Sequence, residues 1–269
     1  MPREKSEAVI LKTFNWAESS RTVVILSRDF GKMPLIDKGG RSITSRRGRL
    51  IRFARLEIGF HYSEKTERGY INDVELLEMF SFERDGTLGR LAYGSAACEL
   101  LYLLLPEEES HPILYDYLVN FLRNIDLCDK HYLPALFITY FLRLLSQLGY
   151  HPSLAYCINC GRETDLDSPS DSPICFSPER GGVVCPACQR SGEYYIPLSA
   201  ESYRVLSRLQ TASLTEAATV PIGYQEASLL IDALTRFLSY QSGLVSGLKS
   251  LEFLEKLRNS HLTLEKDSR

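Results

Sequence analysis

The chain has 269 residues, of which 44% are hydrophobic and 24% are charged, and its formal net charge is −3. This is the composition of a globular protein with one large domain or two to three small ones. The longest apolar run, residues 132–142, is shorter than the roughly 20 residues that cross a bilayer. The N-terminus carries charges of both signs and no signal-peptide cleavage site. We expect a cytoplasmic protein without a membrane segment, in which the seven cysteines do not form disulfides.

Positive charge is concentrated near the N-terminus. The first 80 residues contain 15 Lys and Arg against 11 Asp and Glu, a net charge of +4. Residues 38–55 contain no acidic side chain and seven basic ones, Lys38, Arg41, Arg46, Arg47, Arg49, Arg52 and Arg55. Such a basic segment is typical of a nucleic-acid-binding surface. A solvated loop that only maintains solubility is the alternative.

Five strands are predicted between Ala8 and Phe80, at residues 8–14, 21–26, 32–36, 52–62 and 70–80. Turn-rich connections separate them, and residues 38–55 contain the longest one. Five strands in about 75 residues match a small closed barrel such as the OB fold. An SH3-like barrel has a similar strand count.

Helical spacing of apolar residues begins after Arg84. It predicts helices over residues 88–105, 111–127 and 132–150, and further helices over about 199–211, 224–241 and 248–258. The apolar and aromatic side chains of these helices, such as Phe137, Phe141, Leu144 and Leu148, are interpreted as core. The acidic run at residues 107–109 is predicted to be a solvated loop. These segments predict a helical domain over residues 83–155 and 196–269.

Four cysteines form two Cys-x-x-Cys pairs, Cys157 with Cys160 and Cys185 with Cys188. Four thiolates at this spacing can surround one tetrahedral Zn²⁺. Residues 156–195 have too little apolar content for a core of their own, so we predict an inserted module that one structural zinc ion per chain stabilises. A redox Cys-x-x-Cys or plain free thiols are the rival interpretations. Cys175 is either a spare ligand or a bystander, and the bystander is favoured.

Motifs of the common enzyme classes are missing from the sequence. It has no Gly-x-x-x-x-Gly-Lys-Ser/Thr, no His-Glu-x-x-His and no Gly-x-Ser-x-Gly. We therefore predict that the protein is not an enzyme. Two alternatives to nucleic-acid binding stay open, a zinc-stabilised scaffold that binds only proteins and an enzyme that uses the thiols.

Several segments together resemble the RecO family of bacterial recombination mediators. They are Ala8-Val-Ile-Leu-Lys-Thr, Asp29-Phe-Gly-Lys, Lys38-Gly-Gly-Arg41, the paired knuckles around Gly181-Gly182, and Leu248-Lys-Ser-Leu-Glu-Phe-Leu. The resemblance covers most of the chain. It implies an OB-fold domain that binds single-stranded DNA over residues 1–82, followed by the helical domain with its zinc module.

The resemblance also implies an activity and a set of partners. The protein would bind and anneal single-stranded DNA. With RecR, it would load RecA onto DNA covered by single-stranded-DNA-binding protein, and RecF would be a further partner. It would act in the bacterial cytoplasm, on the nucleoid during repair. By position, the DNA-contacting surface falls on Lys38 and Arg41. By charge alone, it extends to Arg46, Arg47, Arg49 and Arg52. Barrel aromatic residues such as Phe14, Phe53, Phe60 and Tyr62 are candidates for base stacking.

The family also binds the acidic, apolar C-terminal tail of single-stranded-DNA-binding protein in the helical domain. Arg123 and Arg143 are basic residues within otherwise apolar helices, and they are the candidates for pairing with carboxylates of the tail. Salt bridges at the edge of the core are the alternative role for both residues.

Overall fold

The structure is a computed structural model that describes residues 3–16, 20–40, 50–63, 68–164, 173–243 and 247–253. Contacts divide the chain into two compact units. The N-terminal unit holds the described residues up to Leu127 together with Phe253, and the C-terminal unit is Cys128–Glu252. The predicted boundaries at residues 82, 155 and 195 divide the chain by function, and they stay a prediction.

The N-terminal unit begins with a closed barrel of five strands: β1 (Glu4–Trp16), β2 (Ser20–Ser27), β3 (Gly31–Asp37), β4 (Ala54–Ser63) and β5 (Arg68–Met79). Their order is β1-β2-β3-β5-β4, and β1 pairs with β4 to close the barrel. Neighbouring strands are antiparallel except β3 and β5, which run parallel. Because a parallel pair needs a crossover connection, the barrel is not a simple meander. Its order is OB-like, which confirms the predicted fold class.

The barrel interior follows from the two-residue alternation of strand side chains. Val23 and Ile25 of β2 and Met33 and Leu35 of β3 point inward into one hydrophobic cluster. The cluster also contains Ala8, Ile10, Ala54, Leu56, Ile58, Phe60 and Ile71. The alternate residues of β2 and β3 therefore lie on the outer face.

Two helices follow the barrel, α1 (Thr87–Leu104) and α2 (Pro112–Leu127). Two arginine–carboxylate pairs attach α2 to the barrel. Arg28 donates two hydrogen bonds to Asp116 of α2, at 3.1 and 2.9 Å. Arg123 of α2 donates two to Glu78 of β5, at 2.8 and 2.7 Å. Such two-pronged pairs fix orientation as well as adding energy.

A third pair joins two strands and the same helix. Arg55 of β4 donates to both carboxylate oxygens of Glu7 in β1, at 2.8 and 2.7 Å. The Tyr115 hydroxyl of α2 donates to Glu7 Oε2 at 3.3 Å. The hydrogen bonds from Arg55 hold the pKa of Glu7 below its ordinary value, against the opposing effect of burial.

The connection between α1 and α2 lies along the barrel instead of extending into solvent. The backbone N–H of Glu108 donates to the Lys32 carbonyl of β3 at 2.9 Å, and Glu107 forms a parallel bridge with Lys32. Gly31 permits this approach, because a Cβ there would lie 1.9 Å from the Glu109 carbonyl oxygen and its φ is +76°. The prediction of a solvated loop is therefore correct for the side chains of residues 107–109, which are exposed, but not for their backbone, which is bonded to β3.

The C-terminal unit is built around α3 (Leu133–Gln147), and nearly every residue of this helix is buried. Phe137, Phe141 and Leu144 are completely buried, which confirms their interpretation as core, whereas Leu148 follows the helix and is only half-buried. Three further helices pack against α3: α4 (Ala200–Thr211), α5 (Leu214–Ala217) and α6 (Tyr224–Ser242). The described residues 249–253 are helical, and the rest of the last predicted helix lies outside the described residues.

A small antiparallel sheet follows α3, and the sequence pattern did not predict it. It consists of β6 (Ile174–Ser177), β7 (Gly182–Val184) and β8 (Ile196–Leu198), in the order β7-β6-β8. Its strands have three or four residues, which is too short for periodicity to be recognised. Across the described residues, every helix falls short of the length and apolar content that a membrane crossing requires.

Replacing Glu7 with Gln should destabilise the N-terminal unit at neutral pH by about 1–2 kcal/mol, because it removes a charge-assisted acceptor from Arg55. The folded-state pKa of Glu7 lies below the unfolded value of 4.5. The stabilisation is therefore fully present above pH 4.5 and is lost as pH falls through the lower, folded value. Urea unfolding from pH 3 to 7, followed by the fluorescence of Trp16 in β1, measures the difference.

Glu57→Gln is the matched control. Glu57 pairs with Lys5 across the same two strands, but through a single hydrogen bond of 2.9 Å and with the Lys5 side chain 57% exposed, against 34% for Arg55. An exposed pair with one hydrogen bond contributes little to stability, so we expect Glu57→Gln to destabilise the protein far less than Glu7→Gln. Equal effects of the two substitutions at pH 7 would contradict a stabilising role for the Glu7 network.

Candidate metal centre and nucleic-acid interface

Four cysteines converge in the C-terminal unit. The sulfur atoms of Cys157, Cys160, Cys185 and Cys188 all lie within 4.8 Å of one another, and Cys160 Sγ is 3.9 Å from Cys185 Sγ. A tetrahedral zinc ion with Zn–S distances of about 2.3 Å separates its sulfur ligands by about 3.8 Å. The spacing of these sulfurs therefore fits a metal ion bound by four thiolates.

Tight backbone turns build both knuckles. In the first, the Gly161 N–H donates to the Cys157 carbonyl at 2.8 Å, and Gly161 has a φ of +69° that favours glycine. In the second, a 3₁₀ turn over Pro186–Cys188 lets the Cys188 N–H donate to the Cys185 carbonyl at 2.9 Å. The Asn159 side chain links the two knuckles by donating to the Cys188 carbonyl at 3.0 Å. The Asn159 hydrogen bond thus holds the two pairs together independently of a metal ion.

The backbone around Cys157 favours a thiolate. The Cys185 N–H donates to Cys157 Sγ at 3.4 Å. Burial alone would raise the pKa of Cys157, but backbone hydrogen bonds from Cys185, Cys160 and Asn159 lower it to about 6. N–H groups directed at sulfur in this way stabilise the negative charge of the thiolate and orient it toward a metal ion. One ligand is therefore prepared for metal at neutral pH.

The other cysteines lie outside this cluster. Cys175 sits in β6, and burial raises the pKa of its thiol. Cys98 is completely buried in α1, which raises its pKa to about 12. Both resemble small apolar residues in their burial, and Cys128, the third cysteine outside the cluster, is half-buried.

Two of the six predicted DNA-contacting residues, Lys38 and Arg52, can be located. The other four, Arg41, Arg46, Arg47 and Arg49, lie outside the described residues. Lys38 follows β3, and its ammonium lies 4.2 Å from the ring centre of Tyr70 in β5. The Tyr70 ring stacks on His61 of β4 at 5.6 Å and 24°. Basic and aromatic groups thus alternate at this end of the barrel.

Arg52 has a different environment. Its guanidinium lies 4.9 Å from the ring centre of Phe53, which is buried, and it donates to Ser95 of α1 at 3.4 Å. Arg55 belongs to the Glu7 network. The basic run is therefore not a uniform DNA surface, since Arg55 is held by a carboxylate.

A second basic and aromatic group on the barrel was missed by the sequence analysis. The Lys12 ammonium of β1 lies 5.0 Å from the Phe14 ring and 4.3 Å from the Tyr102 ring of α1. Lys32 donates to the Tyr102 carbonyl at 2.9 Å. Alternation along β1 could have placed Lys12 and Phe14 on one outer face, but no sequence signal brings Tyr102 to them from a helix.

Of the stacking candidates on the barrel, Phe53 and Phe60 are buried, whereas Phe14 and Tyr62 are exposed by 40% and 39%. Phe14 and Tyr62 can therefore meet a base without rearrangement.

The candidates for tail binding also have different environments. Arg123 is engaged by Glu78 of β5, which is the core-edge salt bridge given above as its alternative role. Arg143 is exposed on α3, in the C-terminal unit.

Comparison with known proteins gives consistent matches. Models of the families described as Recombination protein O N terminal and Recombination protein O C terminal match residues 1–80 and 86–252. DNA repair protein RecO of Symbiobacterium thermophilum is 30% identical over 94% of this chain and 97% of the relative. DNA repair protein RecO of Anaeromyxobacter dehalogenans is 29% identical, over 90% and 93%, and that of Listeria welshimeri is 26% identical, over 98% and 99%. With both halves matched and nearly the whole length aligned, the chain belongs to the RecO family.

Proposed function

We propose that this protein binds and anneals single-stranded DNA and that, with RecR, it helps to load RecA onto DNA covered by single-stranded-DNA-binding protein, on the nucleoid of the bacterial cytoplasm. The observation that carries the proposal is the surface at the end of β3, where Lys38 covers the Tyr70 ring at 4.2 Å. The basic residues 41–49 follow it directly in the chain. The family of the chain and the printed name of its relatives, DNA repair protein, support the same reading.

The proposed mechanism needs no covalent step. Lysine and arginine side chains neutralise phosphates on two single strands, which lowers the repulsion between the strands as they pair. Exposed aromatic rings such as Phe14 would stack on bases and contribute about 1–3 kcal/mol per base. Because every base has a stacking face, sequence preference would be slight.

The four-cysteine site has a structural role in this proposal. Zinc would be held by Cys157, Cys160, Cys185 and Cys188, and four thiolates leave no open position for a catalytic water. The ion would fix the two knuckles to each other, next to a sheet whose strands have only three or four residues. Metal binding and folding of this module are then coupled.

Purified protein should contain one zinc ion per chain, measured by elemental mass spectrometry. Cys157→Ser should lose the ion and lower the thermal stability of the C-terminal unit, because the ligand with the lowered pKa is removed. Acid should release the ion from the unchanged protein, since protons compete for the thiolates.

Cys175→Ser is the matched control, because Cys175 is a buried cysteine of the same module that lies outside the cluster. It should keep the full zinc content. A folded protein without metal, or equal metal loss in both variants, would refute the assignment.

A labelled oligonucleotide should bind with a strong dependence on salt. Each phosphate neutralised on a single strand contributes roughly 0.7 to the slope of log affinity against log salt, so about five contacts give a slope near −3.5. Replacing Lys38, Arg41, Arg46 and Arg47 with Ala should flatten this slope by up to about 2.8. Annealing of complementary oligonucleotides should slow in parallel, while the zinc content stays unchanged.

The control variant removes the same amount of charge elsewhere. It replaces four exposed arginines of the C-terminal unit with Ala, at Arg162, Arg190, Arg204 and Arg208. Its slope should stay near that of the unchanged protein. Equal slopes in both variants would move the DNA site away from the barrel, and an unchanged protein that shows no salt-dependent binding would favour the protein-only scaffold.

We also propose that Arg143 pairs with carboxylates of the C-terminal tail of single-stranded-DNA-binding protein. A synthetic tail peptide should bind Arg143→Glu roughly fivefold more weakly at low salt, which is the size of an exposed charge pair of about 1 kcal/mol. Fluorescence anisotropy of the labelled peptide measures the change.

Arg123 needs a paired substitution, because its loss would leave Glu78 without its partner. The swap of Arg123→Glu with Glu78→Arg keeps an ion pair between α2 and β5 and moves the charge. If this swap weakens the peptide while Arg143→Glu does not, the tail contacts α2 and the proposed role of Arg143 is wrong.

A further inference from the structure

The outer face of β2 and β3 carries a cavity of about 400 Å³. It is lined by Thr22, Pro34, Ile36, Tyr62 and Arg68, together with Glu107 and Glu108. OB folds bind oligonucleotides on the face of strands 2 and 3 and on the loops beside that face. In this protein Val24, Leu26 and Ile36 of that face are buried. Its accessible part at the cavity is flanked by carboxylates, with Arg68 as the one cation among the described residues of the lining.

The acidic segment, defined as Glu107, Glu108 and Glu109, is fixed in this position. Its backbone is joined to β3 through the Glu108 N–H and the Lys32 carbonyl, at 2.9 Å. The Tyr62 hydroxyl donates to Glu108 Oε1 at 3.2 Å. Glu108 has a φ of 60°, a conformation that a residue other than glycine adopts only when its surroundings hold it there. Side-chain and backbone contacts therefore keep the carboxylates beside the cavity.

Lys32 of β3 does not cancel this charge at the surface, so among the described residues the exposed Arg68 of the lining opposes three exposed glutamates, which leaves a net charge of −2. Lys32 is 8% exposed, and its ammonium donates to the Tyr102 carbonyl. Burial lowers the pKa of Lys32, against the effect of Glu107. The three glutamates, in contrast, are exposed. A phosphate on the β2–β3 face would lie near several negative charges, and within a Debye length of about 10 Å at 0.1 M salt these repel it.

We propose that the acidic segment closes the β2–β3 face to phosphates and thereby confines a bound single strand to the end of the barrel that carries Lys38 and Tyr70. This inference rests on the proposed function, that the barrel binds single-stranded DNA. The segment then determines where the strand runs and how many nucleotides the barrel covers. The segment also keeps the affinity for single-stranded DNA below the value that the basic residues alone would give.

The test neutralises the segment and keeps its hydrogen bonds, while Glu109→Gln also removes the carboxylate charge that faces His111 Nε2 at 3.9 Å. In the triple variant Glu107→Gln, Glu108→Gln and Glu109→Gln, the amide oxygen at position 108 can still accept from Tyr62, and the backbone bridge to Lys32 involves no side chain. Affinity for a labelled oligo-dT at 0.05 M salt should rise roughly three- to tenfold. The salt slope should become steeper by about 0.7 for each phosphate newly neutralised. In an oligonucleotide length series, the covered length should increase.

The control variant makes the same charge change at three exposed carboxylates elsewhere in the N-terminal unit, Glu4→Gln, Glu75→Gln and Glu83→Gln. Its covered length should stay that of the unchanged protein. Equal gains in affinity and covered length in both variants, or no gain in the triple variant, would overturn the inference.

Two further measurements distinguish a failure of this inference from a folding defect of the variant and from a failure of the proposed function. If the triple variant does not fold, Glu107→Gln alone should give a smaller gain of roughly twofold, and no gain would overturn the inference. The unchanged protein is titrated alongside. Salt-dependent binding by the unchanged protein without an effect of the triple variant refutes only the role of the acidic segment, whereas no salt-dependent binding refutes the proposed function as well.

Discussion

The short contact between β3 and β5 is the constraint on which the N-terminal unit depends. The two strands pair only at Leu35 with Gly69 and at Ile36 with Tyr70. The edge of β3 before these residues would otherwise present unpaired backbone groups, which proteins rarely leave open. The Glu108 N–H covers this edge, and Gly31 makes the approach possible. The route of the chain from α1 to α2 is fixed to the barrel as a result.

The attachment of α2 adds to this constraint and uses basic side chains that composition alone would leave available to partners. Arg28, Arg55 and Arg123 each donate two hydrogen bonds to a carboxylate of the same unit. Paired guanidinium groups contribute less to the external field than their number suggests. The basic character of the barrel surface is therefore concentrated in fewer residues, among them Lys12 and Lys38, whose ammonium groups lie over exposed or partly exposed rings.

The cysteine module shows how a segment with few apolar residues is ordered. Phe176, Val183 and Val184 are completely buried, and they give the small sheet an apolar contact surface. The first knuckle precedes β6 in the chain. The second knuckle follows β7, and Cys185 comes directly after that strand. Hydrogen bonds such as that from Asn159 to the Cys188 carbonyl bring the sulfurs together. The short sheet and the four-cysteine cluster therefore order different stretches of the same segment.

The sequence by itself determined the elements whose pattern is local. The five barrel strands follow from two-residue alternation, the helices α1 to α4 and α6 from the spacing of apolar residues, and the four-cysteine cluster from two Cys-x-x-Cys pairs. Only the tertiary structure decided which charges are paired, since Arg123 and Glu78 are 45 residues apart and no periodicity relates them. The same holds for the acidic segment. Its composition is that of a solvated loop, and only the open edge of β3 gives its backbone a partner and places its carboxylates beside the outer face of the barrel.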